Sequence, residues 1–470
     1  MTQGPLLGVL LRVAAPITAA NLAQSVHQLI NAWWVGRLGA DAIAAVAASG
    51  PMFILLLSLG SGLSTAGAVL VAQNIGAGKG EAADHVAAQT LLTVIAVGAA
   101  FAVAGYLLAP AALRLIGVEA HVFELTWQYL SVTYIGLVPM FAFLALQAML
   151  QSAGEVRFAM KVMVGAVILN AVLDPLLIFV AGWGVAGAAT ATVVAQTLAF
   201  GALLHHMLTG RSALHIKWPE FRPDWGHIRL ALGLGLPASV EQGARTFGSL
   251  LLMSLSAHFG TVGLAAYGIG TRLLFFWFVP MMGLSIATSA VVGQNIGAGH
   301  TARAEQGARV AGWLAFLAFT GVGLLLIPIA APLMRTLAPH QPEVVSEAVT
   351  FCYIFGPFLG VLALPQVLNG VFRGAGSPRQ AMTISLVMQY AFQMPAAWVL
   401  ALATPLAVRG VWWSYPIANV GASIVCIAWL LKGPWRRNLV NRSRSSDSDT
   451  GGDQLVSAGD KERQSDGADP

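Results

Sequence analysis

The chain has 470 residues, of which 57% are hydrophobic types and only 10% are charged, and its formal net charge is +5. Soluble domains carry roughly 25% charged residues, because their surfaces face water. Residues 436–470 alone hold 13 of the 45 charges, which leaves about 7% charged residues in the first 435. This composition excludes a soluble globular protein and predicts a polytopic membrane protein.

The composition also argues against several other classes of protein. The basic residues are scattered singly and form no stripe, so no nucleic-acid partner is expected. Cys352 and Cys426 lie inside apolar runs, which predicts neither a disulfide framework nor a CxxC metal site, and no cofactor is expected. The first apolar segment has no convincing cleavage site and is predicted to be a retained helix.

Twelve apolar runs are long enough to cross a bilayer as helices, for which about 20 mostly apolar residues are needed. The abundance of Ala, Gly and Leu favours closely packed helices over barrel strands. In chain order, the predicted spans lie near residues 13–36, 44–72, 86–110, 125–150, 158–180, 185–208, 231–257, 261–292, 308–333, 347–371, 380–403 and 410–432.

The distribution of Lys and Arg predicts the orientation in the membrane. With a cytoplasmic N-terminus, fifteen basic residues, Arg373 among them, fall on inner loops and span ends, and only four fall on outer loops. We therefore expect a multi-pass protein of the cell inner (plasma) membrane with both termini in the cytoplasm.

A polar connection near residues 209–230 separates spans six and seven. It predicts an N-lobe of six spans over residues 1–215 and a C-lobe of six spans over residues 216–435. Residues 436–470 are rich in Ser, Asp, Gly and Arg without periodicity, and they are predicted to form a disordered cytoplasmic tail.

The two halves of the chain repeat one another. The segment Gln73-Asn74-Ile75-Gly76-Ala77-Gly78 recurs unchanged 221 positions later as Gln294-Asn295-Ile296-Gly297-Ala298-Gly299, and Pro16 and Gly62 match Pro237 and Gly283 at the same offset. Both halves begin on the same side of the membrane, so the repeat is parallel. Parallel repeats around a central site are typical of transporters. The fold class predicted is an all-α membrane protein with twelve transmembrane helices in two six-helix lobes.

Several motifs resemble one transporter family. They are the Val35–Ala40 segment with Ala44-Ala45, the two Gln-Asn-Ile-Gly-Ala-Gly segments, and Asn170–Leu176 followed by Gly184–Ala189. Together they are similar to the MATE (multidrug and toxic compound extrusion) transporters, particularly the DinF-like branch, over about residues 10–435. The resemblance implies an antiporter, not an enzyme, that expels amphipathic, often cationic, compounds against an inward flow of protons or sodium ions.

Asp174 is the strongest candidate for a coupling residue. An ionisable side chain within a membrane span is costly and marks a functional site by default. Asp174 lies deep in span five, one turn after Asn170 and directly before Pro175, which removes a backbone donor. Removal from water disfavours the charged carboxylate, which makes proton exchange near neutral pH feasible. The competing interpretation is a protonated or hydrogen-bonded Asp that only stabilises a kink.

The resemblance implies partners for Asp174. In related transporters a cation site uses acids of spans one and five, an Asn of span five and a Thr of span six; the last two fall on Asn170 and Thr192. The span-one acid falls on Asn31, which cannot ionise. Loss of that charged ligand favours proton coupling through Asp174, with sodium coupling as the alternative.

A second polar group is predicted in span seven, where Glu241 precedes Arg245 by four residues on one helix face. It is either an internally neutralised ion pair or a C-lobe cavity pair that exchanges partners during transport. NorM-type relatives carry acids in spans seven and ten, and their sodium site cannot be carried over, because span ten here has no acid. Arg272 is expected near an interface, and His27 is expected to be a packing residue more than a proton relay.

Taken together, the sequence predicts a monomeric, proton-coupled multidrug antiporter that works by alternating access between its lobes. Its expected partners are amphipathic organic cations or other drugs, protons and the lipid bilayer. A lipid-linked oligosaccharide flippase is a further alternative, although such a cavity needs positive charge for a pyrophosphate. An intramembrane enzyme would need a motif such as an Asp-rich metal cluster, which the sequence lacks.

Overall fold

The computed structural model describes residues 1–116, 119–337, 342–432 and 435, and this part of the chain is helical without strands. The first half contains seven helices: α1 (Leu6–Gly36), α2 (Ala40–Gly76), α3 (Gly80–Ile116), α4 (Ala120–Ile135), α5 (Leu137–Ala153), α6 (Val156–Pro175) and α7 (Gly184–Leu208). The second half contains eight: α8 (Trp225–Ala257), α9 (Gly260–Gly297), α10 (Thr301–Leu337), α11 (Pro342–Phe355), α12 (Leu359–Gly374), α13 (Pro378–Leu386), α14 (Met394–Leu402) and α15 (Val408–Lys432).

These helices form twelve rods, six before the central linker and six after it. Ten helical segments of the described chain are long and apolar enough to cross a membrane, and α4 with α5, bent by 51°, makes an eleventh. The twelfth rod is α8, a 33-residue helix that carries Glu241 and Arg245 in its middle. The all-α, twelve-rod fold predicted from the sequence is confirmed.

Several rods are longer or more broken than the predicted spans. The span predicted at 261–292 is α9, which continues to Gly297, because a hydropathy pattern marks the apolar segment and not the helix end. The span predicted at 347–371 is interrupted by a 3₁₀ turn over Gly356–Phe358, where Pro357 has no backbone donor. A π-helical segment over Val387–Gln393 interrupts the rod formed by α13 and α14.

The halves have separate apolar cores, and α1 joins them. One core gathers buried residues of the first half, from Ala20 to Ile216. The other combines second-half residues such as Met281 and Leu359 with Leu10 and Ile17 of α1. Thus the beginning of α1 packs into the second half.

The linker between the halves is anchored to helices of the first half. The Glu155 carboxylate at the start of α6 accepts hydrogen bonds from the Ser212 hydroxyl at 2.8 Å and from the Ala213 backbone, and its other oxygen contacts His206 at 2.8 Å. Asp224 caps α8, so this helix begins within the predicted linker of residues 209–230. The tail predicted over residues 436–470 lies outside the described residues.

Candidate functional site

Asp174 lies where the helical geometry of its rod changes. It is the penultimate residue of α6, and Pro175 ends the helix. The next segment, Leu176–Val180, is π-helical, with the Ala181 N–H bonded to the Leu176 carbonyl at 2.8 Å. Because proline supplies no N–H, the regular hydrogen-bond ladder cannot continue here, and single π-turns of this kind are frequent at functional sites.

The Asp174 carboxyl is fully buried and unsatisfied. The residue has 0% solvent exposure, and neither carboxyl oxygen has a hydrogen-bond partner of normal geometry within the described chain. The Asn31 amide of α1 lies close enough to interact with the carboxyl, and Tyr129 of α4 is also in electrostatic contact with it. Tyr129 could not be identified from the sequence, because a tyrosine on an apolar helix is unremarkable without its neighbours.

The predicted N-lobe residues lie together. The Asn170 side chain is 2% exposed, and its amide nitrogen donates a hydrogen bond of 3.1 Å to the Thr192 hydroxyl of α7. The side-chain oxygen Oδ1 of Asn170 has no partner in the described chain. Asn170 and Thr192 line a small crevice, to which His27 also contributes. His27 is 5% exposed, and its Nδ1 is likewise without a partner there.

The second predicted polar group, on α8, is an extended network. Glu241 is 2% exposed and forms a salt bridge of 2.9 Å with Arg245. Arg245 also donates to Gln366 of α12 at 2.5 Å, and the Ser385 hydroxyl of α13 donates to Glu241 at 3.1 Å. The Glu241–Arg245 pair therefore ties three helices together.

Arg373 joins this network, although the sequence placed it only as a topology-setting charge. It lies in the last turn of α12, and its guanidinium lies 4.0 Å from Glu241 and donates to the Ser285 hydroxyl of α9 at 3.2 Å. Counting basic residues at span ends cannot reveal the direction of a side chain, so this role was missed. Arg272, in contrast, is exposed on α9.

The repeated segments that end α2 and α9 meet each other. Gln73 of the first half donates from its side chain to the Gly374 carbonyl of α12 at 3.1 Å. Gln294 of the second half donates to the Ser152 carbonyl of α5 at 2.7 Å. The two acceptors are themselves equivalent in the repeat, so these are symmetry-related hydrogen bonds between the halves.

Glycine makes this close approach feasible. A Cβ on Gly76 would overlap the Gln294 carbonyl, and a Cβ on Gly297 would overlap the Gln73 carbonyl. A second symmetric pair lies deeper in the molecule, where Gly62 packs on Ser239 and Gly283 packs on Thr18. Small residues thus allow backbone-to-backbone contact along the junction between the halves. The ends of α2 and α9 that carry these segments are closed against each other.

Comparisons with known proteins fit this architecture. The MatE family model matches residues 16–176 and again residues 237–399, once in each half. The probable multidrug resistance protein YoeA of Bacillus subtilis is 28% identical over 91% of this chain and 94% of its own length. The FAD transporter of Shewanella oneidensis is 25% identical over 91% of this chain and 94% of its own. A crystal structure of MATE in the straight conformation superposes with a TM-score of 0.86 at 25% identity, covering 92% of this chain and 96% of the other.

A duplicated bundle of twelve apolar rods around buried polar groups defines a membrane transporter. The chain belongs to the MatE family, whose members are transporters and not enzymes. The predictions of a parallel duplication and of transport in place of catalysis are thereby confirmed.

Proposed function

We propose that the protein is a proton-coupled exporter of amphipathic organic compounds, with Asp174 as the proton-binding residue. The observation that carries this proposal is the complete burial of a carboxyl group whose two oxygens lack hydrogen-bond partners of normal geometry in the described chain. Asn31, which lies close enough to interact with it, and Asn170, one helical turn earlier, are both uncharged.

An unpaired carboxylate in such surroundings is unfavourable. Insertion experiments place the cost of an Asp at the centre of a membrane helix at about 2.5–3.5 kcal/mol, and no cation from the described chain pairs with Asp174. Protonation removes the charge and gives the group a donor of its own. Uptake and release of that proton would change how α1, α6 and α7 pack around the residue, which links proton binding to conformation.

Sodium coupling is the second candidate, and one observation favours it. Besides the two Asp174 oxygens, the Asn170 side-chain oxygen is buried without a partner in the described chain. Carboxylate and amide oxygens are ligands for hard cations, so a dehydrated sodium ion would find oxygen ligands on adjacent turns of α6. The site holds one carboxylate, however, because Asn31 stands where the resembling transporters have an acid.

We further propose the membrane arrangement and the cycle. The N-lobe comprises residues 1–215 and the C-lobe residues 216–435. The protein spans the cell inner (plasma) membrane with both termini in the cytoplasm, in line with the Lys and Arg distribution. In that orientation, the paired ends of α2 and α9 close the cytoplasmic side. Transport then requires these contacts to open and re-form as the lobes rock, and one monomer contains both lobes.

Substrate class is proposed from the relatives. Relatives named as multidrug resistance proteins favour organic cations as the substrate class. One relative is named as an FAD transporter, which makes an anionic substrate the alternative. Arg245 and Arg373 share their charge with Glu241, which leaves the C-lobe group with limited positive charge for a lipid-linked pyrophosphate.

Transport in reconstituted vesicles tests the proposal. Purified protein in sealed vesicles is given a cationic dye, FAD or a lipid-linked pyrophosphate under an imposed proton gradient or an imposed sodium gradient. We expect proton-driven movement of the dye that a sodium gradient does not replace. Movement driven by sodium alone would establish the second candidate, and movement of FAD or the lipid alone would overturn the proposed substrate class.

A further inference from the structure

A cluster of histidine and carboxylate side chains lies where α3 meets the beginning of α8, away from the polar groups described above. His85 is on the second turn of α3, Asp224 is the N-cap of α8, and His227 is on its first turn. One potential ligand atom from each of these residues lies within 4.8 Å of the others. We propose that His85, Asp224 and His227 form a binding site for a transition-metal ion of the Zn²⁺ class.

The arrangement of donor atoms is close to that of a metal site. The His85 Nε2 lies 3.4 Å from the Asp224 Oδ2, and the His227 Nδ1 lies 2.7 Å from the same oxygen. Ligands at ordinary zinc distances in a tetrahedral site are separated by roughly 3.4 Å. One of the two contacts already has this separation, and the other needs a side-chain shift of less than about 1 Å.

The chemistry of the cluster selects the class of metal. Two imidazoles with one carboxylate suit zinc and its first-row neighbours, whereas magnesium and calcium prefer oxygen ligands alone. Three protein ligands leave at least one position for water or a further side chain. The exposure of all three residues is intermediate, so an ion can reach them from solvent.

Surrounding groups hold the carboxylate in place. The Asp224 Oδ1 accepts hydrogen bonds from the Gly226 and His227 backbone N–H groups at 2.9 and 3.3 Å. The Gln89 side chain accepts from the Asp224 backbone N–H at 2.9 Å. With Oδ1 engaged in capping, Oδ2 is the oxygen directed at both imidazoles, as expected when outer groups orient a ligand.

A further carboxylate makes the local charge favourable for a cation. Glu220 lies in electrostatic contact with His85, and its Oε2 is buried without a hydrogen-bond partner in the described chain. A bound divalent cation would compensate the negative charge of Glu220 and Asp224.

The competing interpretation is a hydrogen-bonded Asp–His group that only anchors α8. In that case the pairing of His227 with Asp224, which lowers the pKa of the Asp224 carboxyl to about 2, is the whole role of these residues. The two interpretations differ in their response to metal. A metal site would join α3 of the first half to α8 of the second. Its ligand on α3, His85, lies nine residues beyond Gly76 in the sequence.

Titration of the purified full-length protein with Zn²⁺ alone tests the proposal, with a purification tag that contains no histidine. Calorimetry should show one saturable ion per chain and thermal unfolding should shift upward with Zn²⁺. We expect His85→Ala and His227→Ala to weaken binding about tenfold or more and to abolish the thermal shift. His258→Ala, which removes a histidine from the other end of α8, should leave both unchanged.

Asp224→Asn separates metal binding from helix capping, because Asn caps a helix as well as Asp does. This variant should unfold at nearly the wild-type temperature without metal, yet bind Zn²⁺ more weakly. Co²⁺ in the wild-type protein should give the visible absorption of a site with nitrogen ligands. The proposal is overturned if the wild-type protein shows no saturable Zn²⁺ binding, or if the His85→Ala and His227→Ala variants bind it as the wild type does.

Discussion

Asp174 combines three properties that rarely occur in one side chain: complete burial, two unsatisfied oxygens and a position at a helix break. The sequence alone marks Asp174 as a candidate, because an acid in an apolar run before a proline stands out without any structure. Only some of the residues around Asp174 could be predicted from the sequence. Asn170 and Thr192 came from a family resemblance and do lie in contact, whereas Tyr129 belongs to a helix distant in sequence and could only be found in three dimensions.

Asn31→Asp is a prediction for the same group. The substitution places a second carboxyl beside Asp174, and two adjacent carboxylates repel each other unless a proton or a cation lies between them. We expect transport by the variant to become dependent on sodium, measured as dye efflux at fixed pH over a series of sodium concentrations. Asn21→Asp, one substitution on the same helix about three turns away, should not create this dependence, and a sodium-independent Asn31→Asp would contradict the proposed proximity of the two groups.

At the scale of helices, the network around Glu241 holds α8, α9, α12 and α13 in register. One acid serves two guanidinium groups, those of Arg245 and Arg373. The sequence predicted the pair within α8 because its spacing is local. It could not predict the partners on α9, α12 and α13, since these depend on how distant helices pack and on the direction of each side chain.

Glu241→Gln should therefore be strongly destabilising. Removing the acid leaves two partly buried cations without a counter-charge, and breaking a buried pair in this way typically costs about 3–5 kcal/mol. Thermal unfolding in detergent should show a large loss for this variant. The matched control is Glu347→Gln, which breaks a more exposed pair with Arg409 and should cost less than about 1 kcal/mol. Equal losses in both variants would contradict the structural role of the network.

Helix ends were the part of the fold least accessible to sequence reasoning. Apolar runs locate the membrane-crossing part of each rod, but α9 extends beyond its predicted end and α8 begins before its predicted start. The reason is that backbone hydrogen bonding and capping, here by Asp224, determine helix ends independently of hydropathy.

At the scale of the molecule, the duplication was visible in the sequence, but the contacts between the repeated segments were not. The Gln-Asn-Ile-Gly-Ala-Gly segments were recognised as equivalent copies, and each proves to contact the other half through a glutamine hydrogen bond and a glycine. Internal repetition indicates that two segments are alike. It does not indicate that they touch, because that depends on where the symmetry axis passes.

Gly76→Ala and Gly297→Ala should each weaken this closure. The added methyl group overlaps a backbone carbonyl of the opposite half, which cannot move aside as a flexible side chain could. We expect increased labelling of cysteines introduced near the ends of α2 and α9, measured with a membrane-impermeant thiol reagent from the cytoplasmic side. Gly165→Ala is the control, because a Cβ there meets nothing within 4 Å. Unchanged labelling in both junction variants would contradict the proposed closure of the cytoplasmic side by these helix ends.

The central claim, that Asp174 carries the coupling proton, is tested most directly by comparing wild type and Asp174→Asn in two transport modes of the same vesicles. The first mode is uphill dye accumulation driven by a proton gradient, and the second is dye exchange with no gradient, which requires binding and lobe movement but no coupling ion. The account predicts that Asp174→Asn loses accumulation and keeps exchange, while the control Asp41→Asn keeps both. Full proton-driven accumulation by Asp174→Asn would contradict it.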